Sequence, residues 1–510
     1  MPSPMPFRGD PRACARWPAG TRLSGAVLAA AFLLAAAAPP AHARTGERQA
    51  DLPAAVDAAV AEYRAATGLP GAAVAVTHGT EAVHLAGYGS TPSGAAVTER
   101  TPMAVASVSK SFTALAVLQL VDEGRVDLDA PVRDHLPEFE MADPRAADIT
   151  VRQLLDQTSG MSDTTFGAFS RPQPASLREA VAGMRSAGLA AAPGERWEYH
   201  NPNFQVAARL VEVVSGASFS DYLDAHVFDP LGMADSSTND TDQDLPPSAY
   251  GHVTLLGRPV AAPEPPAFGN GSGGVVSSAR DMAAWLIAQH GGGRGADGTR
   301  ILSADAVRES HTPSPGADSY GLGWQVGATP SGAALVHHGG DLFTSTAYQA
   351  LLPESGHGVA VMANTGMAAG DASAIAEAVI AVIEGRETPP PGQSPLVVGA
   401  DAVLLGLAVA AVPLAGLGVR RSVRWGARRV DAPSHGTVLR LLPLAVPVVL
   451  FAGIHRVVGF LYRGRDVAWI QVAYLYPAFL LLLGLAALGC TAVAVARAAA
   501  LVRARRAAAR

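Results

Sequence analysis

Between residues 44 and 387 apolar and polar positions alternate in blocks short enough for the strands and helices of a folded domain, whereas beyond residue 396 the polar positions largely drop out. Within the folded block, 71–77 and 82–88 are small-apolar runs separated by His78-Gly79-Thr80-Glu81, the pattern of a β-hairpin. A helix is predicted over 108–122. Phe112, Leu115, Val117, Leu118, Leu120 and Val121 make it apolar on nearly every side, as suits a helix at the centre of a domain, and Gly124 supplies its stop. The stretch 149–247 reads as mostly helical with loops. One clear helix there follows Asn201-Pro202 and runs through Val206, Leu210 and Val213 to Gly216. After a helix at 279–289, short strands at 334–338, 345–351 and 359–363 precede an amphipathic helix at 373–383. Strands at both ends of a helical middle imply an α/β (α+β) domain, with one antiparallel sheet assembled from both ends, flanking helices and a helical subdomain.

The flanks have a different pattern. Arg8, Arg12, Arg16 and Arg22 precede an apolar run at 26–38 and the small residues Ala41 and Ala43, which together predict a signal peptide over 1–43 with cleavage after Ala43. The run is shorter than the roughly 20 residues that span a bilayer, which argues against an uncleaved anchor. At the other end, 396–419, 438–461 and 467–495 are each long enough to cross a membrane, giving a bundle over 396–495 and an Arg-rich tail at 496–510. Arg420, Arg421, Arg424, Arg428 and Arg429 flank the first span, and Arg497, Arg503, Arg505, Arg506 and Arg510 flank the third. Both clusters favour the cytoplasm, so the expected order is outside, in, out, in, with an extracytoplasmic domain on a multi-pass cell-membrane protein. Asp401 lies a few residues inside the first span and reads as interfacial. The Pro-rich segment 388–395 is a short, stiff linker.

Charge follows these divisions. Residues 1–43 hold four Arg and one Asp, residues 396–510 hold fourteen Arg and three Asp, and the middle holds 20 basic against 40 acidic groups. So acidic a domain is repelled by phosphate backbones, which excludes nucleic acid as a partner. Cys14 and Cys490 both lie outside the domain, so no disulfide holds it. Of the 38 basic residues, Lys110 is the single lysine.

Lys110 stands in Ser107-Val108-Ser109-Lys110. Ser107 and Lys110 share a helix face, where a buried amine that has lost its charge can take the hydroxyl proton and make the serine a nucleophile. Arginine does not deprotonate, so a chain that uses arginine elsewhere needs lysine for this task. The plainer reading, a helix-cap serine and a surface lysine, conflicts with the apolar helix around the pair. In Tyr199-His200-Asn201 the plainer roles are a core aromatic and an N-cap before Pro202. A phenol beside a cationic lysine would instead have a lowered pKa and could shuttle the proton. In His337-His338-Gly339-Gly340, on a predicted strand, the glycines admit a substrate backbone and leave amides free for an oxyanion. Adjacent histidines on a strand point to opposite faces, so no metal is expected, and no cofactor.

These three elements, in this order, resemble the serine β-lactamase and penicillin-binding protein superfamily, specifically its class C-like serine hydrolases. Softer matches are Val151-Arg152-Gln153-Leu154-Leu155 before Thr158-Ser159-Gly160, Pro230-Leu231-Gly232-Met233, Gly273-Gly274 before Ser277, Tyr320-Gly321-Leu322-Gly323-Trp324 and Ala363-Asn364. The resemblance implies a β-lactamase/transpeptidase-like fold in which Ser107 is acylated and Lys110 and Tyr199 transfer its proton. It also implies that Asn201 holds the substrate amide, that His337 and Gly339 line the third-motif strand, and that the amides of Ser107 and Gly340 form the oxyanion hole. His337 stands where true β-lactamases carry the lysine that recognises a carboxylate, which shifts weight from β-lactams toward peptides, amides and esters. The expected activity is a membrane-tethered hydrolase, D-alanyl-D-alanine carboxypeptidase-like or a peptidase on D-peptides. The alternatives are an esterase or weak β-lactamase of the same fold, or an acylated sensor signalling through the membrane bundle.

Overall fold

The computed structural model describes residues 41–241, 243–392 and 395–510. The arginines and apolar run of the predicted leader lie outside the described residues, and Ala43 falls in the first turn of helix α1 (Ala41–Thr67). All described side chains belong to one unit, Asp51–Arg510.

The predicted hairpin forms as β1 (Gly71–His78) and β2 (Glu81–Gly89). The buried helix is α2 (Ser109–Asp122), the Asn201-Pro202 helix is α3 (Pro202–Ser215), and the helix before the later strands is α4 (Ala279–His290). Four strands follow, β3 (Gln325–Ala328), β4 (Ala334–Asp341), β5 (Thr346–Leu352) and β6 (His357–Ala363), and α5 (Asp371–Ile383) closes the domain. They make one antiparallel six-stranded sheet in the order β2-β1-β6-β5-β4-β3, with Val74 opposite Val361 where the N-terminal hairpin meets the C-terminal strands.

Both faces of the sheet are covered, which is why its central strands read as runs of small apolar residues rather than as clean alternation. Val74, Val76, Leu335, Ala350 and Val361 face α1 and α5, while Ala73, Ala75, Val336, Ala347 and Met362 face α2 and α4. On the second face Phe112 of α2 stacks on Trp285 of α4 with ring centroids 3.9 Å apart. Burying each such aromatic side chain contributes about 1.5–3 kcal/mol. That packing fixes α2, and with it the residues at its N-terminus. Helix α1 and strand β3 are elements the hydropathy pattern had not marked. The row Leu52, Val56, Val60 and Tyr63 buries α1 against the sheet, and the Tyr63 hydroxyl donates to Asp371 Oδ1 at 2.7 Å.

Three C-terminal helices are long and apolar enough to cross a membrane: α6 (Pro395–Ala427), α7 (Ser434–Leu461) and α9 (Pro477–Ala508). The third apolar stretch is interrupted, because Pro477 forces Tyr476 out of helical geometry (φ −138°, ψ 60°) and leaves α8 (Trp469–Leu475) as a separate short helix. One end of this bundle touches the sheet-containing domain: Asp401 Oδ2 accepts from the Leu256 amide at 2.8 Å. At the other end Arg505 donates to the carbonyls of Val430 (3.2 Å) and Ala432 (2.7 Å), which gathers the tail arginines beside the arginine-rich end of α6.

Candidate functional site

Ser107 lies in a 3₁₀ turn, Ala106–Val108, that leads directly into α2. Ala106 adopts φ +50°, a left-handed conformation that an alanine holds only where its surroundings over-determine it. Here they do. The Val105 amide donates to Val275 O at 3.0 Å, and Ser109 Oγ donates to Ala106 O at 2.6 Å while accepting from the Val275 amide at 2.9 Å. Ser111 is likewise committed, donating to Val108 O and accepting from Gln349 Nε2. Of the three clustered serines, Ser107 alone turns its hydroxyl to the cavity.

Lys110 is fully buried one turn on. Its Nζ lies 3.0 Å from Ser107 Oγ, 2.9 Å from Asn201 Oδ1 and 2.7 Å from the carbonyl oxygen of Ser272. Burial, assisted by the positive charge of Arg465, pushes the Lys110 amine well below the ordinary lysine value. A neutral amine has two N–H bonds and one lone pair. Asn201 Oδ1 and Ser272 O can only accept, so they take the two N–H bonds and leave the lone pair facing the hydroxyl of Ser107.

Tyr199 and Asn201 come from the loop before α3. Gln157 Oε1 secures that loop by accepting from the His200 amide (3.0 Å) and Asn203 Nδ2 (2.6 Å). The Tyr199 hydroxyl donates to Ser107 Oγ at 2.8 Å. Its expected acidity is reversed: burial raises the phenol above the ordinary tyrosine value. Asn201 does not cap α3 with its side chain, which instead turns to Lys110.

The third element corrects the sequence reading by one residue. Alternation along β4 sends Leu335 to the α1/α5 face and Val336 to the α2 face, so His337 follows Leu335 and His338 follows Val336. His337 stacks on Tyr348 with centroids 5.5 Å apart and hydrogen-bonds its hydroxyl through Nδ1 at 2.9 Å, away from Ser107. His338 is the histidine at the cavity, with its ring 6.4 Å from that of Tyr199. Its Nδ1–H donates to Gly339 O at 2.7 Å, so its Nε2 accepts from the Tyr320 hydroxyl at 2.9 Å. Burial lowers its pKa to about 3, and His338 is therefore a neutral side chain at working pH. Gly340, expected at the oxyanion position, packs beneath the wall. A Cβ there would stand 2.2 Å from Val105 O, so glycine lets the strand end close against the turn that carries Ser107. Gly339 and Asp341 line the cavity itself.

That cavity is about 500 Å³ and joins Ser107, Tyr199, Asn201, His338 and Gly339. Part of its wall comes from the C-terminal helical region, through Tyr462, Arg465, Asp466 and Gln471, none of which the motif pattern had marked. Among the described residues no cluster of three or more His, Cys, Asp or Glu could hold a metal ion.

Comparison with known proteins bears on the family and the fold. The family model described as Beta-lactamase matches residues 56–383. "Protein flp" of Staphylococcus aureus (strain MW2) is 28% identical over 307 residues, which is 58% of this chain and 60% of the staphylococcal protein's length. "Penicillin-binding protein 4" of Amycolatopsis lactamdurans is 30% identical over 317 residues, 59% of this chain and 82% of that protein. Among solved structures, the octameric penicillin-binding protein homologue from Pyrococcus abyssi superposes with a TM-score of 0.54 at 26% identity, covering 69% of this chain and 81% of its own. The penicillin-binding protein from Bacillus halodurans gives 0.51 at 25% identity, covering 65% and 98%. With an antiparallel sheet flanked by helices, a family model matched over most of the chain and these relatives, the chain belongs to the beta-lactamase family, within the superfamily of serine β-lactamases and penicillin-binding proteins.

Proposed function

We propose that this protein is a membrane-tethered, extracytoplasmic serine hydrolase that works through an acyl-enzyme on Ser107, with D-peptides of the D-alanyl-D-alanine type as its first-choice substrates. The observation that carries this reading is the position of Lys110, whose buried Nζ lies 3.0 Å from Ser107 Oγ while Asn201 Oδ1 and Ser272 O stand ready to accept its N–H bonds. As Ser107 Oγ attacks the substrate carbonyl, its proton passes to Lys110 Nζ. The leaving amine or alcohol departs with a proton handed on by Tyr199, and water then cleaves the ester to release the acid and free serine. General-base assistance of this kind is worth about 10² to 10⁴ in rate. We assign the oxyanion position to the amide of Ser107 and the strand end at Gly339 and Asp341, which line the cavity, and the substrate amide to Asn201, which lines it too.

Incubating the full chain in detergent with acyl-D-Ala-D-Ala peptides, p-nitrophenyl esters and nitrocefin tests the substrate. The reading predicts the fastest turnover on the D-peptides. Turnover of esters alone would make the protein an esterase, and fastest turnover of nitrocefin a β-lactamase. An adduct that forms once and never turns over would make it a sensor, a reading favoured by the contribution of the C-terminal region to the cavity wall.

The orientation rests on the two ends of the bundle. The arginine-rich ends of α6 and α9 lie together, opposite the end that meets the hydrolase domain at Asp401, and arginine clusters favour the cytoplasmic side. A reporter fused after Arg510 is expected to be active only in the cytoplasm. Activity only outside would overturn the three-span topology.

A further inference from the structure

The turn between α7 and α8 reaches into the catalytic cleft and is locked there. Asp466 accepts from the amides of Phe169 (2.6 Å) and Ser170 (2.8 Å), and its own amide donates to Asp163 Oδ2 at 3.2 Å. The two chains meet without spare room: a Cβ on Gly167 would stand 2.6 Å from Asp466 Cγ, and one on Gly464 would stand 2.6 Å from Thr164 Cγ2. Residue 465 is thereby held at the cavity by contacts on both sides.

Arg465 donates from Nη1 to the Tyr199 carbonyl at 3.0 Å, and its Nε lies 3.3 Å from Asp163 Oδ2. The guanidinium carbon is 5.5 Å from the centroid of the Tyr199 ring. Its side chain is 44% exposed, and it lines the same cavity as Ser107 and Asn201. Five N–H donors sit on a guanidinium, so the contacts to Tyr199 and Asp163 leave donors for a ligand. Among the described residues that line this cavity, Arg465 carries the one permanent positive charge: His338 is neutral, and Lys110 lies behind the wall. Asp163 pairs with one edge of the guanidinium, and the remaining donors face the cavity. Asp466 is held by two amides, Asp163 is shared with His200 Nδ1 at 2.8 Å, and burial moves the Asp341 carboxyl toward its neutral form.

We propose that Arg465, supplied by the C-terminal helical region, is the anion-docking residue of the cleft, and that it receives a substrate carboxylate next to the scissile bond. This assignment rests on the serine-hydrolase reading of Ser107. The planar guanidinium matches a carboxylate with paired, charge-assisted hydrogen bonds, which a neutral imidazole at position 338 cannot provide. The cleft is therefore completed by a residue from outside the catalytic domain, and the charge-recognising function moves from β4 to the α7–α8 turn.

The test uses the full chain in detergent and one matched pair of substrates, an N-acyl-D-Ala-D-Ala peptide and its C-terminal amide, with kcat/KM measured for each. The unaltered protein should prefer the free acid. In Arg465→Gln that preference should fall at least about tenfold, chiefly through KM, and Arg465→Lys should recover part of it. Thermal melting of each variant separates this effect from loss of the fold. The assignment is overturned if the unaltered protein does not prefer the acid, or if Arg465→Gln slows both substrates equally, which is what a residue that merely braces the Tyr199 loop would do. Failure of the unaltered protein to turn over either substrate would overturn the D-peptide reading and this assignment together.

Discussion

Replacing Lys110 by arginine or methionine is expected to slow acylation of Ser107 at least about a hundredfold. Arginine keeps the charge but stays protonated at any working pH, so it offers no lone pair to the Ser107 hydroxyl. It also forces a larger, permanently charged group into a fully buried site, and some loss of stability is expected with it. Methionine avoids that complication, since it is unbranched and apolar and suits the packing around the lysine stem while removing the base. The two variants should differ in melting temperature and agree in lost acylation. The pH profile supplies a second readout. Because the neutral amine is the active form and its folded pKa is lowered, acylation by the unaltered protein should be lost as pH falls through that lowered value and retained above it. Both variants should lack this acid limb. Near-normal acylation by Lys110→Met would remove the lysine from the mechanism and leave Tyr199 as the base.

How much of this was legible in the sequence depended on how locally each feature is determined. The strands could be read because a sheet covered on both faces demands small apolar residues in unbroken runs, as in Gly71–His78. Helix α1 was missed because Leu52, Val56 and Val60 form a narrow row among alanines, and β3 because four residues are too few to show a period. Ser107 and Lys110 could be paired from helical periodicity alone. Choosing between His337 and His338 could not be done that way. Leu335 and Val336 are both apolar, so the pattern does not say which of them faces α2, and only the assembled sheet fixes the parity. Arg465 lies 266 residues beyond Tyr199 in sequence, in a turn between two apolar stretches, where nothing local connects it to the catalytic motifs.

Ser107→Ala is expected to abolish covalent chemistry altogether, a larger effect than loss of the base. Neither neighbouring serine can substitute: Ser109 Oγ is held between Ala106 O and the Val275 amide, and Ser111 Oγ between Val108 O and Gln349 Nε2, both buried and on other faces of α2. The substitution removes one oxygen and leaves the packing of α2 intact, so the variant should melt close to the unaltered protein. The decisive measurement is intact mass of both proteins after exposure to a slowly deacylating acylating inhibitor. The unaltered protein should gain one adduct and Ser107→Ala none; an undiminished adduct on Ser107→Ala would contradict the account by placing the nucleophile elsewhere.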